Sequence, residues 1–270
     1  MRPNHVLRAW RDDKQTIGLW LSIDSTLTAE SMARAGFDWV CLDMQHGMLD
    51  YNDIKVMLPA ISTTDTIPFV RVPWNEPYEI MKVLDAGAYG VVVPLVNNRE
   101  EAERAVAACR YPPEGNRSFG PIRAAMYGGS GYVNEANREI ACIVMIETAE
   151  ALENLDEIMS TPGVDAVYIG PADLAYALGL PQAGGDNDDP KHVEAVNRIF
   201  ECCKKHGIAA GIHTGGMEFT RRFLDQGFHM VTLATDNGLL GRMARSELKA
   251  ARERHLDRKR STEGPPSSLY

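Results

Sequence analysis

Residues 37–47 read FDWVCLDMQHG. Through Leu42 the run is almost wholly apolar, with no alternation of polar and apolar residues. That is the pattern of a strand buried on both faces, as in a parallel sheet covered by helices. It then ends in Asp43, Gln45 and His46, followed by a glycine. A carboxylate, an amide and an imidazole within four residues are either a strand end turning into water or the lip of an active site.

The same strand-then-helix unit recurs on both sides. TIGLWLSI (16–23) reads as a strand before TAESMARAG (28–36), and 37–44 as a strand before YNDIKVMLPAIS (51–62). IPFVRV (67–72) precedes the helix PYEIMKVLDAG (77–87), whose last glycine suits a C-terminal cap. GVVVPLV (90–96) precedes REEAERAVAACR (99–110). Residues 111–132 are rich in Pro and Gly and read as an extended loop with at most one helical turn. The alternation resumes with ACIVMIE (141–147), a helix over 148–160, VDAVYIG (164–170) and the helix PADLAYALG (171–179), which has Pro at its first position. A loop and a long helix follow, then IAAGIH (208–213), a helix over 217–227, FHMVTLAT (228–235) and a helix over 239–255.

Eight such units of about 30 residues each predict an α/β fold, a (β/α)8 TIM barrel. It forms one domain over 1–255, with an N-terminal helix and a disordered polar tail over 256–270. A doubly wound open sheet would be favoured by a glycine-rich loop after the first strand, and SIDSTLT is not one. The net charge of −9 disfavours nucleic acid as a partner. Five cysteines, Cys41, Cys109, Cys142, Cys202 and Cys203, show no metal-type spacing and suit a reducing compartment. The first 14 residues lack an apolar core of signal-peptide length, and no segment is long enough to span a bilayer. A cytoplasmic protein is expected.

In a barrel of this kind the active site lies at the C-terminal ends of the strands. Those ends carry Asp43, Gln45 and His46, then Arg71, Glu147, Asp173, His213 with Thr214, and Asp236 with Asn237. Glu147 and Asp173 are hard oxygen donors that suit Mg²⁺ or Mn²⁺, or else acids at helix starts. The backbone N–H groups of Ala172 and Asp173 in GPAD (170–173) open a helix and can take a carboxylate. Arg71 ends an apolar strand, where a guanidinium needs an anionic ligand or a neighbouring acid. His46 is a base, or a hydrogen-bonded structural histidine. None of the lysines, Lys14, Lys55, Lys82, Lys191, Lys204, Lys205, Lys249 and Lys259, ends a strand, so Schiff-base chemistry at the mouth is not expected. Carbanion chemistry here would need a metal to stabilise an enolate.

GLWLSIDS, AGFDWVCLDMQHG, PFVRVPWNEP, LDAGAYGVVVPLV, RYPPEGNRS, VMIET and GVDAVYIGPADL occur in this order over about residues 16 to 250. Together they resemble the HpcH/HpaI family of class II pyruvate aldolases. The resemblance implies a lyase that cleaves 4-hydroxy-2-oxo acids to pyruvate or hydroxypyruvate and an aldehyde. It implies Glu147 and Asp173 as ligands of a divalent metal (Mg²⁺, Mn²⁺ or Co²⁺), and Arg71 on the keto oxygen. His46 is then the base, acting through a water. Gly170, Ala172 and Asp173, with Met145 and His213, surround the 2-oxo acid. Asp85 in LDAG matches the acid that pairs with the base. It ends a helix before the fourth strand, at the far end of its own barrel, so a neighbouring subunit would supply it. A homo-oligomer is therefore expected, a hexamer with an exchanged C-terminal helix by resemblance. Gln45 stands where familiar members have Glu, Met145 where they usually have Gln, and His213 and Thr214 where aliphatic residues are frequent. Other readings are oxaloacetate decarboxylation on the same site, a barrel isomerase holding a phosphorylated ligand near HTGG (213–216), and a non-catalytic oligomer.

Overall fold

The computed structural model describes residues 1–181 and 186–262, with side chains through residue 253. Eight parallel strands close into a barrel in chain order. They are β1 (Thr16–Leu21), β2 (Trp39–Asp43), β3 (Ile67–Arg71), β4 (Gly90–Val93), β5 (Ala141–Ile146), β6 (Ala166–Ile169), β7 (Ala209–Ile212) and β8 (Met230–Thr235). Closure is made by β1 on β8, with Thr16 beside Met230. Seven of the strands stop one to three residues before the end of the stretch read as strand, and β8 ends with it at Thr235. Those trailing residues form the loops of the mouth, which is where site residues belong.

Two layers of apolar packing explain why the strands lack alternation. One layer lies between sheet and helices and includes Leu19, Leu42, Val70 and Ile146. The other fills the barrel with Trp20, Trp39, Phe69, Ile143, Met145 and Tyr168. The N-terminal helix His5–Arg11 adds Val6, Leu7 and Trp10 to this inner layer, with Trp10 5.8 Å from Phe69. It thus plugs the lower end of the barrel. Gly18 in β1 makes room for the fully buried Trp39: a Cβ there would lie 2.1 Å from the ring.

Three stretches differ from the sequence pattern. The Pro/Gly-rich segment 111–132 holds one helix, Ile122–Gly128, and a second, Tyr132–Glu139, begins at its last residue. Pro121 precedes the first, and Gly129 ends it at φ +81°, so the glycines punctuate helices rather than forming one loop. The helix over 148–160 is two helices, Ala149–Glu153 and Leu155–Met159, broken at Asn154, whose side-chain amide donates to Asn97 O. The last helix starts at Asp236 and runs to Thr262, beyond the expected boundary at 255. Residues 263–270 of the expected tail lie outside the described residues. No helix among the described residues is long and apolar enough to cross a membrane.

Candidate active site

β2 and β3 run in register, so their last residues, Asp43 and Arg71, stand side by side. The two side chains form a forked pair: Arg71 Nε donates to Asp43 Oδ1 at 2.8 Å and Nη2 to Oδ2 at 2.6 Å. Asp43 is 3% exposed and Arg71 9%. Burial works against the Asp43 carboxylate, but the Arg71 hydrogen bonds and charge outweigh it and hold Asp43 below the usual carboxylate range. Asp43 Oδ1 also accepts the backbone N–H groups of Gln45 and His46. One carboxylate therefore fixes both the guanidinium and the loop that carries His46. Arg71 Nη1 has no partner among the described residues and faces the mouth. The Arg71 guanidinium also lies 5.3 Å over the Trp20 ring.

Glu147 follows β5 and is 3% exposed. Its Oε1 accepts the backbone N–H of Leu95 at 2.9 Å. Leu95 sits at φ +55°, a left-handed conformation that costs a non-glycine residue free energy, and there its N–H reaches the carboxylate. Glu147 Oε2 fills the space that a side chain on Gly170 would occupy, 2.3 Å from the position of a Cβ. Burial pushes the Glu147 carboxyl up to about 7; the Leu95 hydrogen bond opposes this, and the nearby Asp173 charge adds to it.

Gly170 caps the helix Pro171–Ala177, whose first turn holds Ala172 and Asp173. Their N–H groups precede the first intrahelical bond, which Leu174 makes to Gly170 O. His192 Nε2 lies 3.0 Å from Pro171 O and ties down the helix start. The carboxylate of Asp173 and the ring of His46 are exposed.

These groups share one cavity of about 290 Å³, lined by Trp20, His46, Arg71, Met145, Tyr168, Gly170, Pro171, Ala172, Asp173 and His213. No lysine lines it. Seven of the nine site residues expected from sequence are there, and Glu147 abuts it behind Gly170. The ninth, Asp85, is elsewhere. It pairs with Arg117 at 2.7 Å and borders a second cavity with Tyr51, Lys55, Lys82 and Arg123. Arg123 is held by Ala86 O and the Ser62 hydroxyl. A larger cleft of about 450 Å³ opens beside His5, Asp38 and Asp65 at the opposite barrel end and holds none of the expected residues.

Several strand-end residues have structural work. Asp236 accepts from Ser22 N and Oγ, Ile23 N and Asn237 N, which clamps β8 to β1. Thr214 Oγ1 bonds Thr220 and Thr232 O. In HTGG the Gly215 N–H already donates to Asp186, a carboxylate that would repel a phosphate. Asp156, Cys202 and His206 also converge, on the outer helices away from the mouth, where Lys205 and His206 already engage Asp156.

The donor set fits a divalent cation. Glu147 and Asp173 follow adjacent strands, and the Asp173 charge acts on the buried Glu147 carboxylate, for which the Leu95 N–H and the Arg71 charge do not fully compensate. Hard oxygens with open positions left for water and substrate suit Mg²⁺ or Mn²⁺.

The match to known proteins decides the family. The HpcH/HpaI aldolase/citrate lyase family model matches residues 16–242. The chain belongs to that family. A hydroxypyruvate/pyruvate aldolase of Rhizorhabdus wittichii is 42% identical over 249 residues, 92% of this chain and 99% of that protein. A 4-hydroxy-2-oxo-heptane-1,7-dioate aldolase of Klebsiella pneumoniae is 38% identical, covering 92% of each. A Burkholderia cenocepacia protein of the HpcH/HpaI family superposes with a TM-score of 0.87 at 36% identity, over 92% of this chain and 99% of that one. This family member is accordingly a lyase.

Sequence reasoning left Arg71 with either an anionic ligand or a neighbouring acid; the register of β2 on β3 makes that acid Asp43. Trp20 and Tyr168 read as core, and the Leu95 N–H carried no signal at all.

Two outcomes follow from this geometry. Asp43→Ala strands a buried guanidinium and should cost roughly 3–5 kcal/mol in chemical denaturation, while Asp43→Ala with Arg71→Met should recover much of the loss. Glu147 has a raised carboxyl, so its stabilising contribution is complete below the ordinary value of 4.5 and is lost as pH rises through about 7. In EDTA, wild-type stability should fall over that window more steeply than that of Glu147→Gln.

Proposed function

We propose that this family member cleaves 4-hydroxy-2-oxo acids, reversibly, into pyruvate or hydroxypyruvate and an aldehyde, with a divalent cation held by Glu147 and Asp173. The observation that carries the reading is the single cavity where an Arg71 fork with one free nitrogen, open helix N–H groups and an exposed histidine converge, with the buried Glu147 carboxylate directly behind Gly170 in its wall. It is supported by relatives named as aldolases of this type. Mg²⁺, Mn²⁺ and Co²⁺ are the candidate cations. When bound by Glu147 and Asp173, the cation would draw electron density from the 2-oxo acid and so ease carbanion formation at C3.

The chain's own residues do the rest. The N–H groups of Ala172 and Asp173 take the substrate carboxylate at the helix start opened by Gly170. Arg71 Nη1 faces the C2 oxygen, and Asp43 keeps the guanidinium from swinging away. His46 accepts the C4 hydroxyl proton through a water. The C3–C4 bond breaks, the aldehyde leaves, and the electron pair passes into C3 and the C2 oxygen, where the fixed positive charge of Arg71 stabilises it. Return of a proton to C3 gives the 2-oxo acid. Met145 keeps one wall apolar.

Asp85 enters this scheme only from a second copy of the chain, as the partner that orients His46. We read the protein as a homo-oligomer, a hexamer with its C-terminal helix exchanged, acting on small molecules in the cytoplasm.

Incubation with pyruvate in D₂O tests the reading without knowledge of the aldehyde. The methyl protons should exchange with Mg²⁺ and stop exchanging in EDTA, and His46→Ala should slow exchange on the order of 10²–10⁴-fold. No exchange with any divalent cation would sink it.

A further inference from the structure

Among the polar side chains lining the active cavity, His213 has no part in the proposed chemistry. It is half-buried at the end of β7, edge-on to Trp20 with ring centroids 5.3 Å apart and an interplanar angle of 89°. Its Nδ1 lies 3.3 Å from the Tyr168 hydroxyl, which is bonded in turn to the Thr232 hydroxyl. The ring is thus held in one orientation by a buried hydroxyl chain. Its other nitrogen, Nε2, has no hydrogen-bond partner among the described residues. It is also absent from the sealed-off polar atoms, which include Trp20 Nε1, so the cavity is where its partner must come from.

Three properties narrow what that partner is. Burial and the neighbouring Arg71 charge bring the His213 imidazole down to about 4, so it is neutral at physiological pH. A neutral ring is a poor base there and a weak site for a carboxylate or phosphate. The Tyr168 hydroxyl can donate to Nδ1 or accept from it, because its Thr232 neighbour can play either role. Nε2 can therefore donate or accept, and a hydroxyl is the ligand group that answers both. The other walls are taken in this scheme: Met145 has no donor, the Tyr168 hydroxyl is already engaged, and the one Arg71 nitrogen that Asp43 leaves free is assigned to the C2 oxygen.

We propose that His213, fixed by Tyr168 and Thr232, is a subsite for a substrate hydroxyl, so that this enzyme selects hydroxylated substrates over their deoxy analogues. This rests on the aldolase reading above. The hydroxyl has two sources: C3 of a hydroxypyruvate-type donor, or the carbon next to the carbonyl of a hydroxyaldehyde. A substrate without it covers Nε2 while offering it no partner, displacing the water that the open cavity would otherwise supply, and discrimination arises from that loss.

The experiment has two arms, each run on wild type, His213→Leu and His213→Gln with Mg²⁺. The donor arm compares C3 proton exchange of hydroxypyruvate and pyruvate in D₂O. The acceptor arm compares kcat/KM for addition of pyruvate to glycolaldehyde and to acetaldehyde. In one arm the wild type should favour the hydroxylated member. His213→Leu should lower that ratio on the order of tenfold or more, and His213→Gln, which keeps a hydrogen-bonding side chain, should hold most of it. The arm that responds identifies the source. Ratios unmoved by His213→Leu in both arms overturn the subsite while leaving the aldolase reading intact. Absence of exchange with either donor in the wild type removes the aldolase reading itself, and the subsite with it.

Discussion

The mouth of this barrel depends on one interaction, the buried pair between Asp43 and Arg71. A guanidinium buried at a strand end is costly unless a carboxylate meets it. Asp43 meets it through two parallel hydrogen bonds, and its remaining capacity goes to the N–H groups of the His46 loop. Strand register, loop shape and the aim of the free guanidinium nitrogen are thus fixed together. Such a pair contributes more to geometry than to net stability, because the desolvation of both charges offsets most of their attraction.

Around that pair, three carboxylates are placed in three environments and behave differently. Asp43 is kept ionised by its arginine. Glu147 is buried against a single N–H and the Asp173 charge, and is left with a deficit that a cation would fill. Asp173 stands exposed at a helix start. The strained backbone at Leu95 and the missing side chain at Gly170 both serve Glu147: one supplies the N–H, the other the space. The same logic makes His213 neutral while His46 stays exposed, so the two histidines of the cavity are suited to different tasks.

The barrel was legible because its strands are apolar on both faces, a pattern that only a doubly covered sheet explains. The cavity residues were legible because chain order alone puts strand ends at one mouth, and Asp85 was set apart by the same reasoning. What stayed hidden depends on information outside local pattern. The Asp43–Arg71 fork needs the β2/β3 register, and the Leu95 contact needs a backbone angle that no residue type announces. The helices over 122–128 and 132–139 were masked by glycines that read as loop but serve as helix ends. Asn154 broke an expected helix through a side-chain bond to a residue 57 positions away. The residues that build the His213 chain, Tyr168 and Thr232, lie inside strands and look like core.

Oxalate is a planar dianion that presents its oxygens much as a 2-oxo acid does when charge has moved onto its C2 oxygen, and it asks nothing of the aldehyde half of the site. Calorimetric titration of oxalate into the protein, with and without Mn²⁺, therefore tests the central claim most directly. Binding that requires the cation and is lost in Glu147→Gln is the predicted result. Equal binding in EDTA, or none with any divalent cation, would contradict the account.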